Sequence, residues 1–330
     1  MTRCVYCLQT LVPKEERDSP LNPSLEHFIP WSLGGSNGFA TMDACTECNS
    51  KLGDSVDAAT INQPLLAMIR QQFGIMGYSG NVPDVVMPMR SMDTNEPGRM
   101  TIPPAGDIEY HHNPVVIRQP HELGEELFVA GSEEDVRKIL QGIADKEAKR
   151  GRRFVDLSSG QTIDLDDSIA NAERGTTDIY RAQMKVSLPP IYRTMTKAAY
   201  GLAHHMFGWR WTGSDDAVSL RDAARGLTSD EDVAAMIQGI KMEFRDKLPL
   251  CAGQQDHHVV AFLPGTSPSV FVSMFGEALF TALIPLTVSG HALELGISEN
   301  NRAMVAIDPR SRTATWIDFP TYVMHLQRQV

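Results

Sequence analysis

Glu26 and His27 stand together at the end of a short apolar run, "SLEHFIP", and Asn49 directly follows the motif "CTEC". A carboxylate and an amide oxygen suit a hard divalent ion such as Mg²⁺ or Mn²⁺, which keeps open positions for water and a substrate phosphate. An imidazole beside them, titrating at about pH 6.5 when unperturbed, can take a proton from an attacking water. A bound metal would polarise the phosphate and stabilise the leaving oxygen. The chemistry within reach is therefore hydrolysis of a phosphodiester.

A second constellation frames the first. Cys4 and Cys7 form one C-x-x-C pair, Cys45 and Cys48 another, and Cys251 stands far away. Two such pairs complete a tetrahedral Cys4 site, which is closed and hence structural. Zn²⁺ is the expected ion. No βαβ pattern surrounds either pair, which argues against a thioredoxin-like redox role.

These residues need elements to bring them together. "SLEHFI" reads as a strand that Pro30 ends, "GGSNG" as a turn, and "FATMDA" as a second strand. A helix is expected from near Thr46, with Asp43 as its N-cap. Strand, loop, strand and helix then place Glu26, His27 and Asn49 at one end, with the metal pinning the unit closed. Gly53 lies four residues after Asn49, on the same helical face. Asp54 and Asp57 read as a solvated helix face.

Residues 4–57 resemble the HNH endonuclease module, the ββα-metal nuclease fold in its Cys4 zinc-stapled form. The resemblance rests on the two cysteine pairs, Glu-His-x-Ile-Pro at 26–30, Gly34-Gly35 and Cys-x-x-Cys-Asn at 45–49. It implies that His27 is the general base and that Glu26 and Asn49 are the ligands of the catalytic divalent ion. It implies DNA as the substrate. One departure stands out. The family's middle asparagine, which orients the loop or the catalytic histidine, falls at Ala40; Asn37 can replace it if the loop runs differently.

The chain has 330 residues, 42% of them hydrophobic and 22% charged, in keeping with a soluble globular protein. No apolar run is long enough to span a membrane, and "MTRCVYCLQT" lacks the apolar region of a secretory leader. The expected compartment is the cytoplasm. The net charge of −11 excludes bulk electrostatic coating of nucleic acid and confines any such contact to a local patch. The densest basic run, Lys146, Lys149, Arg150, Arg152 and Arg153, is the candidate for phosphate contacts; a solvated helix end is the alternative.

The expected fold class is α+β: an N-terminal zinc-stapled ββα-metal (HNH) module followed by a larger helical plus antiparallel-sheet domain. Residues 1–78 would be the nuclease module with a trailing helix, 79–131 a linker or irregular segment, and 132–330 a recognition, regulatory or assembly domain. Within the last, an apolar helix is expected over 189–209, with Arg193 and Lys197 on one face. A further helix is expected from Thr228, and an antiparallel meander from about 257. His111 and His112 could bind a metal but, as a loop pair without an acidic or cysteine partner, read as inert; His204 and His205 read as packed or capping residues. A nuclease head on a larger body suits a restriction or anti-phage effector, by analogy of architecture. Cutting both strands would need a homodimer or successive nicks. The alternatives are a non-catalytic zinc module that binds nucleic acid or protein, and a nuclease silent until a regulatory ligand or partner protein binds the C-terminal domain.

Overall fold

The computed structural model describes residues 2–14, 18–92, 95, 97–122, 124–156, 159–170, 172, 180–239, 256–288 and 302–327. Cys251 lies outside them. The chain divides into two compact units, one made of residues 1–83 with 185–330 and the other of residues 84–184. This differs from the expected boundaries, because the chain returns to the N-terminal head after residue 184.

In the first unit, β1 (Pro23–His27) pairs antiparallel with β2 (Ala40–Cys45), with a register shift between Ser24 and Glu26. Helix α1 (Thr46–Leu52) follows at once. Its N-cap is Cys45, whose Sγ accepts from the Cys48 amide, and Asp43 plays no capping part. A cysteine can cap here because its thiol already faces the first helical turn. A π turn over Gly53–Asp57 leads into α2 (Ala58–Ile61), and α3 (Pro64–Phe73) starts with proline in its first turn. Two glycines make the loop after β1 possible. Gly34 has φ +85°, and a Cβ there would lie 2.6 Å from Pro309; a Cβ at Gly35 would lie 1.9 Å from the Ile29 carbonyl oxygen.

The second unit is built mainly from strands, over a stretch whose sequence reads as a linker or irregular strands. The sheet β3 (Val85–Ser91), β4 (Pro97–Ile102), β5 (Glu109–His112) and β8 (Tyr180–Ala182) has the order β5-β4-β3-β8. β6 (Val115–His121) and β7 (Gly124–Ala130) form a separate ribbon. Pro88 and Pro120 sit inside these strands and Pro97 begins one, which is why the stretch reads as irregular. Helix α4 (Glu133–Ala148) is capped by Ser132, which accepts from the Asp135 amide, and α5 (Leu165–Ala170) completes the unit.

Back in the first unit, α6 (Leu188–Thr212) is the central helix, kinked at Gly208, which has φ 64° and ψ −159°. It packs on α7 (Val218–Ala224), on α8 (Asp230–Met236) and on strands of a five-stranded antiparallel meander. The strands are β9 (His258–Leu263), β10 (Ser269–Ser273), β11 (Thr281–Pro285), β12 (Arg302–Asp308) and β13 (Thr313–Asp318), in the order β11-β10-β9-β12-β13. Helix α9 (Phe319–Gln327) closes the described chain. One apolar core joins the head to this body through Phe28, Phe39, Tyr200, Trp211, Phe262 and Phe271. The contact is close: a Cβ at Gly201 of α6 would stand 2.1 Å from the Phe28 ring. No helix is long and apolar enough to cross a membrane among the described residues.

Candidate active site and metal centre

The four thiols of Cys4, Cys7, Cys45 and Cys48 lie within 4.8 Å of one another. Cys7 and Cys45 sulfurs are 3.9 Å apart. Four sulfurs at about 2.3 Å from one tetrahedral ion stand about 3.8 Å apart, so the cluster fits a structural metal such as zinc. A bond from Cys48 and backbone amides draws the Cys4 thiol down to about 4 against the opposing effect of burial. The knuckle is tied to the body, because the Tyr200 hydroxyl of α6 donates to the Val5 carbonyl.

Beside this anchor, Glu26, His27, Asn49, Gly53 and Asp57 line one cavity of about 210 Å³. His27 is 7% exposed. Its Nε2 is 2.8 Å from the Asn37 Oδ1. A carbonyl oxygen only accepts, so Nε2 carries the proton and Nδ1 keeps its lone pair. Burial is the main cause that holds the ring below its ordinary pKa, against the bond to Asn37. The imidazole is then neutral at pH 7 and able to accept a proton.

Ala40 cannot orient this ring, because it is the backbone partner of His27 across the β1–β2 ladder. Asn37 does so instead. The Ser36 side chain accepts from the Gly38 amide, and the Trp316 indole of β13 donates to the Gly38 carbonyl at 3.0 Å. The C-terminal sheet thus braces the loop that carries Asn37.

Glu26 is 3% exposed and sits in a buried ion cluster. Lys197 of α6 is fully buried, with its Nζ 2.8 Å from the Glu26 Oε1 and 2.8 and 2.9 Å from the two Asp57 oxygens. The Tyr6 hydroxyl also reaches the Glu26 Oε1, at 3.4 Å. Burial pushes Glu26 up to about 7 despite the pull of Lys197. Burial opposes the charge on Lys197 too, but Asp57 and Glu26 together outweigh it and hold the ammonium above its ordinary value.

Asn49 donates from Nδ2 to the Ser24 hydroxyl at 2.7 Å and to the Leu25 carbonyl at 2.9 Å. Its Oδ1 is left outside these bonds, as is the Glu26 Oε2. Both residues line the cavity, and a carboxylate with an amide oxygen is a donor set that suits a divalent ion with open positions.

Lys197 and Asp57 were not singled out as site residues by the sequence. Asp57 read as a solvated face; the π turn before it, closed by the Ala58 amide on the Gly53 carbonyl, delivers it to Lys197 instead. Such turns are frequent at functional sites. The signal for Lys197 was a lone ammonium in an apolar helix, which must find a carboxylate when buried. His204 and His205 are packed as expected, with the His204 Nδ1 2.8 Å from the Thr212 hydroxyl.

The basic run lies in the other unit, at the exposed end of α4. Arg150 and Arg152 both turn to Glu147, at 3.1 and 3.5 Å. Lys146, Lys149 and Arg153 are exposed.

No curated protein and no solved structure matches the chain. Residues 4–65, which carry both cysteine pairs and Glu26, His27, Asn37, Asn49 and Asp57, match the family model described as HNH endonuclease.

Proposed function

We propose that the protein is a divalent-metal-dependent endonuclease that hydrolyses DNA phosphodiester bonds. The observation that carries this reading is a neutral, oriented His27 sharing one cavity with Glu26 and Asn49. In this mechanism the Nδ1 of His27 accepts the proton of the attacking water, while Asn37 fixes the tautomer through Nε2. Glu26 and Asn49 would hold the Mg²⁺ or Mn²⁺. That ion, when bound, supplies polarisation of the phosphate and stabilisation of the leaving oxygen. Lys197 holds Glu26 in place through one oxygen and balances part of the buried negative charge. The four-cysteine site takes Zn²⁺ as a folding element.

Nicking of supercoiled plasmid by the purified protein tests this. Conversion to open circle is expected in Mg²⁺ or Mn²⁺ and not in EDTA. No conversion with either ion, in a protein that carries its zinc, would contradict it. The proposed role as a restriction or anti-phage effector rests on architecture, and phage plating on cells with wild type or His27→Ala tests it. Equal plating would refute that role.

A further inference from the structure

A second cavity, of about 360 Å³, adjoins the first and is lined by Trp31, Met76, Gly77, Tyr78, Arg310 and Arg312. Trp31 and Tyr78 border both cavities. Their rings stack at 6.3 Å and 25°, and the Trp31 ring is 5.1 Å from that of His27. The wall between the proposed catalytic base and the second cavity is therefore aromatic. Tyr78 is 79% exposed, so its ring is open to a ligand that approaches from solvent.

The cations of this cavity are unevenly matched. Arg310 pairs with Asp256 at 3.1 Å. Arg312 does not pair with any carboxylate among the described residues; its guanidinium lies 3.6 Å over Trp31 and donates to the Met76 carbonyl at 2.7 Å. Arg70 of α3 is 6% exposed, and its Nε has no hydrogen-bond partner. A Cβ at Gly77 would lie 3.2 Å from the Arg70 Nη2, so this guanidinium reaches the cavity wall. Arg70 and Arg312 also repel each other. Burying such charge without an acid is unfavourable unless an anion completes the site. In a chain of net charge −11, this local excess of positive charge marks where an anionic ligand can sit.

We propose that Arg312, Arg70, Trp31 and Tyr78 form a subsite for the DNA nucleotide next to the scissile phosphodiester. The guanidiniums face its phosphate, and its base stacks on Tyr78. The inference rests on the nuclease reading and gives it a direction: the strand leaves the His27 cavity past Trp31, toward the β12–β13 turn. Planar guanidiniums suit phosphate, and an exposed ring accepts any base. The subsite therefore binds without choosing sequence.

The test uses full-length protein in Ca²⁺, with fluorescence anisotropy of a labelled single-stranded oligodeoxynucleotide, over a salt series. Tyr78→Ala should weaken binding about 5- to 160-fold, the range of one base–aromatic stack, and Tyr78→Phe should restore it. Arg312→Gln should make the slope of log affinity against log salt shallower by about 0.7, the single-strand value for one phosphate contact. Thermal melts of each variant establish that the fold is kept, and Tyr78 is exposed enough that its replacement leaves the core intact. Wild-type affinity and slope in both variants would overturn the subsite. Plasmid nicking in Mg²⁺ separates the two readings. A wild type that cuts, with variants that bind and cut equally well, removes the subsite and keeps the nuclease. A wild type that binds but never cuts, with weakened variants, keeps the subsite and removes the hydrolytic reading.

Discussion

At the residue scale, two contacts set the chemistry of the cavity. Asn37 defines which nitrogen of His27 is basic. Asn37→Ala should slow cleavage, though by less than the about 10²–10⁴ lost with the base itself, while zinc content and DNA affinity stay as in wild type. Single-turnover rates on a labelled duplex check this, and an unchanged rate would show that the ring is held by other means. Lys197 is the other contact. Removing one member of a buried ion cluster leaves the remaining charges uncompensated and costs about 3–5 kcal/mol. Lys197→Met should lower the urea midpoint accordingly, because it strands Glu26 and Asp57. A midpoint equal to wild type would mean that water already solvates the two carboxylates.

At the scale of elements, the chain's own patterning placed the module, the helix over 189–209 and the meander from about 257, but not the contacts that join them. The cysteine spacing, the Glu-His pair before proline and the Gly-Gly turn are local, so they were legible in the sequence. β1, β2 and α1 lie where these signals put them. Lys197 and Arg312 come from elements distant in sequence, and their partners are fixed only by tertiary packing. The family's spacing points to Ala40, with Asn37 as the substitute if the loop runs differently; a 3₁₀ turn over Asn37–Phe39 brings that asparagine to His27.

The same supports carry a pH signature. His258 of β9 is buried with its Nε2 2.8 Å from the Leu33 carbonyl, tying the sheet to the loop after β1. Burial pushes His204, His205 and His258 down to about 4. The unfolded chain protonates these rings from about pH 6.5 downward, and the native state does not until about 4. Glu26, held up to about 7, keeps a proton in the native state over most of this window and offsets about one ring. With three rings against it, stability should still rise with pH through that window and fall as pH drops from 6.5 to 4. The loss is up to about 1.4 kcal/mol per pH unit for each ring. Urea midpoints at pH 7, 6 and 5 measure it. A flat profile would mean that the three rings are hydrated in the native state.

At the scale of the whole molecule, the N-terminal head does not stand alone. Lys197 completes its ion cluster, Gly201 lets α6 approach Phe28, Trp316 braces the Asn37 loop and Pro309 packs on Gly34. A fragment of residues 1–83 exposes all of these surfaces. It should be insoluble or inactive even with zinc, whereas the full chain folds. Fragment expression followed by plasmid nicking decides this; a soluble fragment that cuts at the full-chain rate would show that the body only regulates. Removal of the metal acts on the head itself. Stripping zinc with a strong chelator should unfold the knuckle, because binding energy at such a site is folding energy.

The central claim is that His27 activates water in a metal-dependent cavity. The most direct measurement compares plasmid nicking in Mg²⁺ by wild type and His27→Ala, at equal zinc content and equal thermal stability. The account predicts open-circle product with wild type and a rate lower by about 10²–10⁴ with the variant. Equal rates for the two proteins would contradict it.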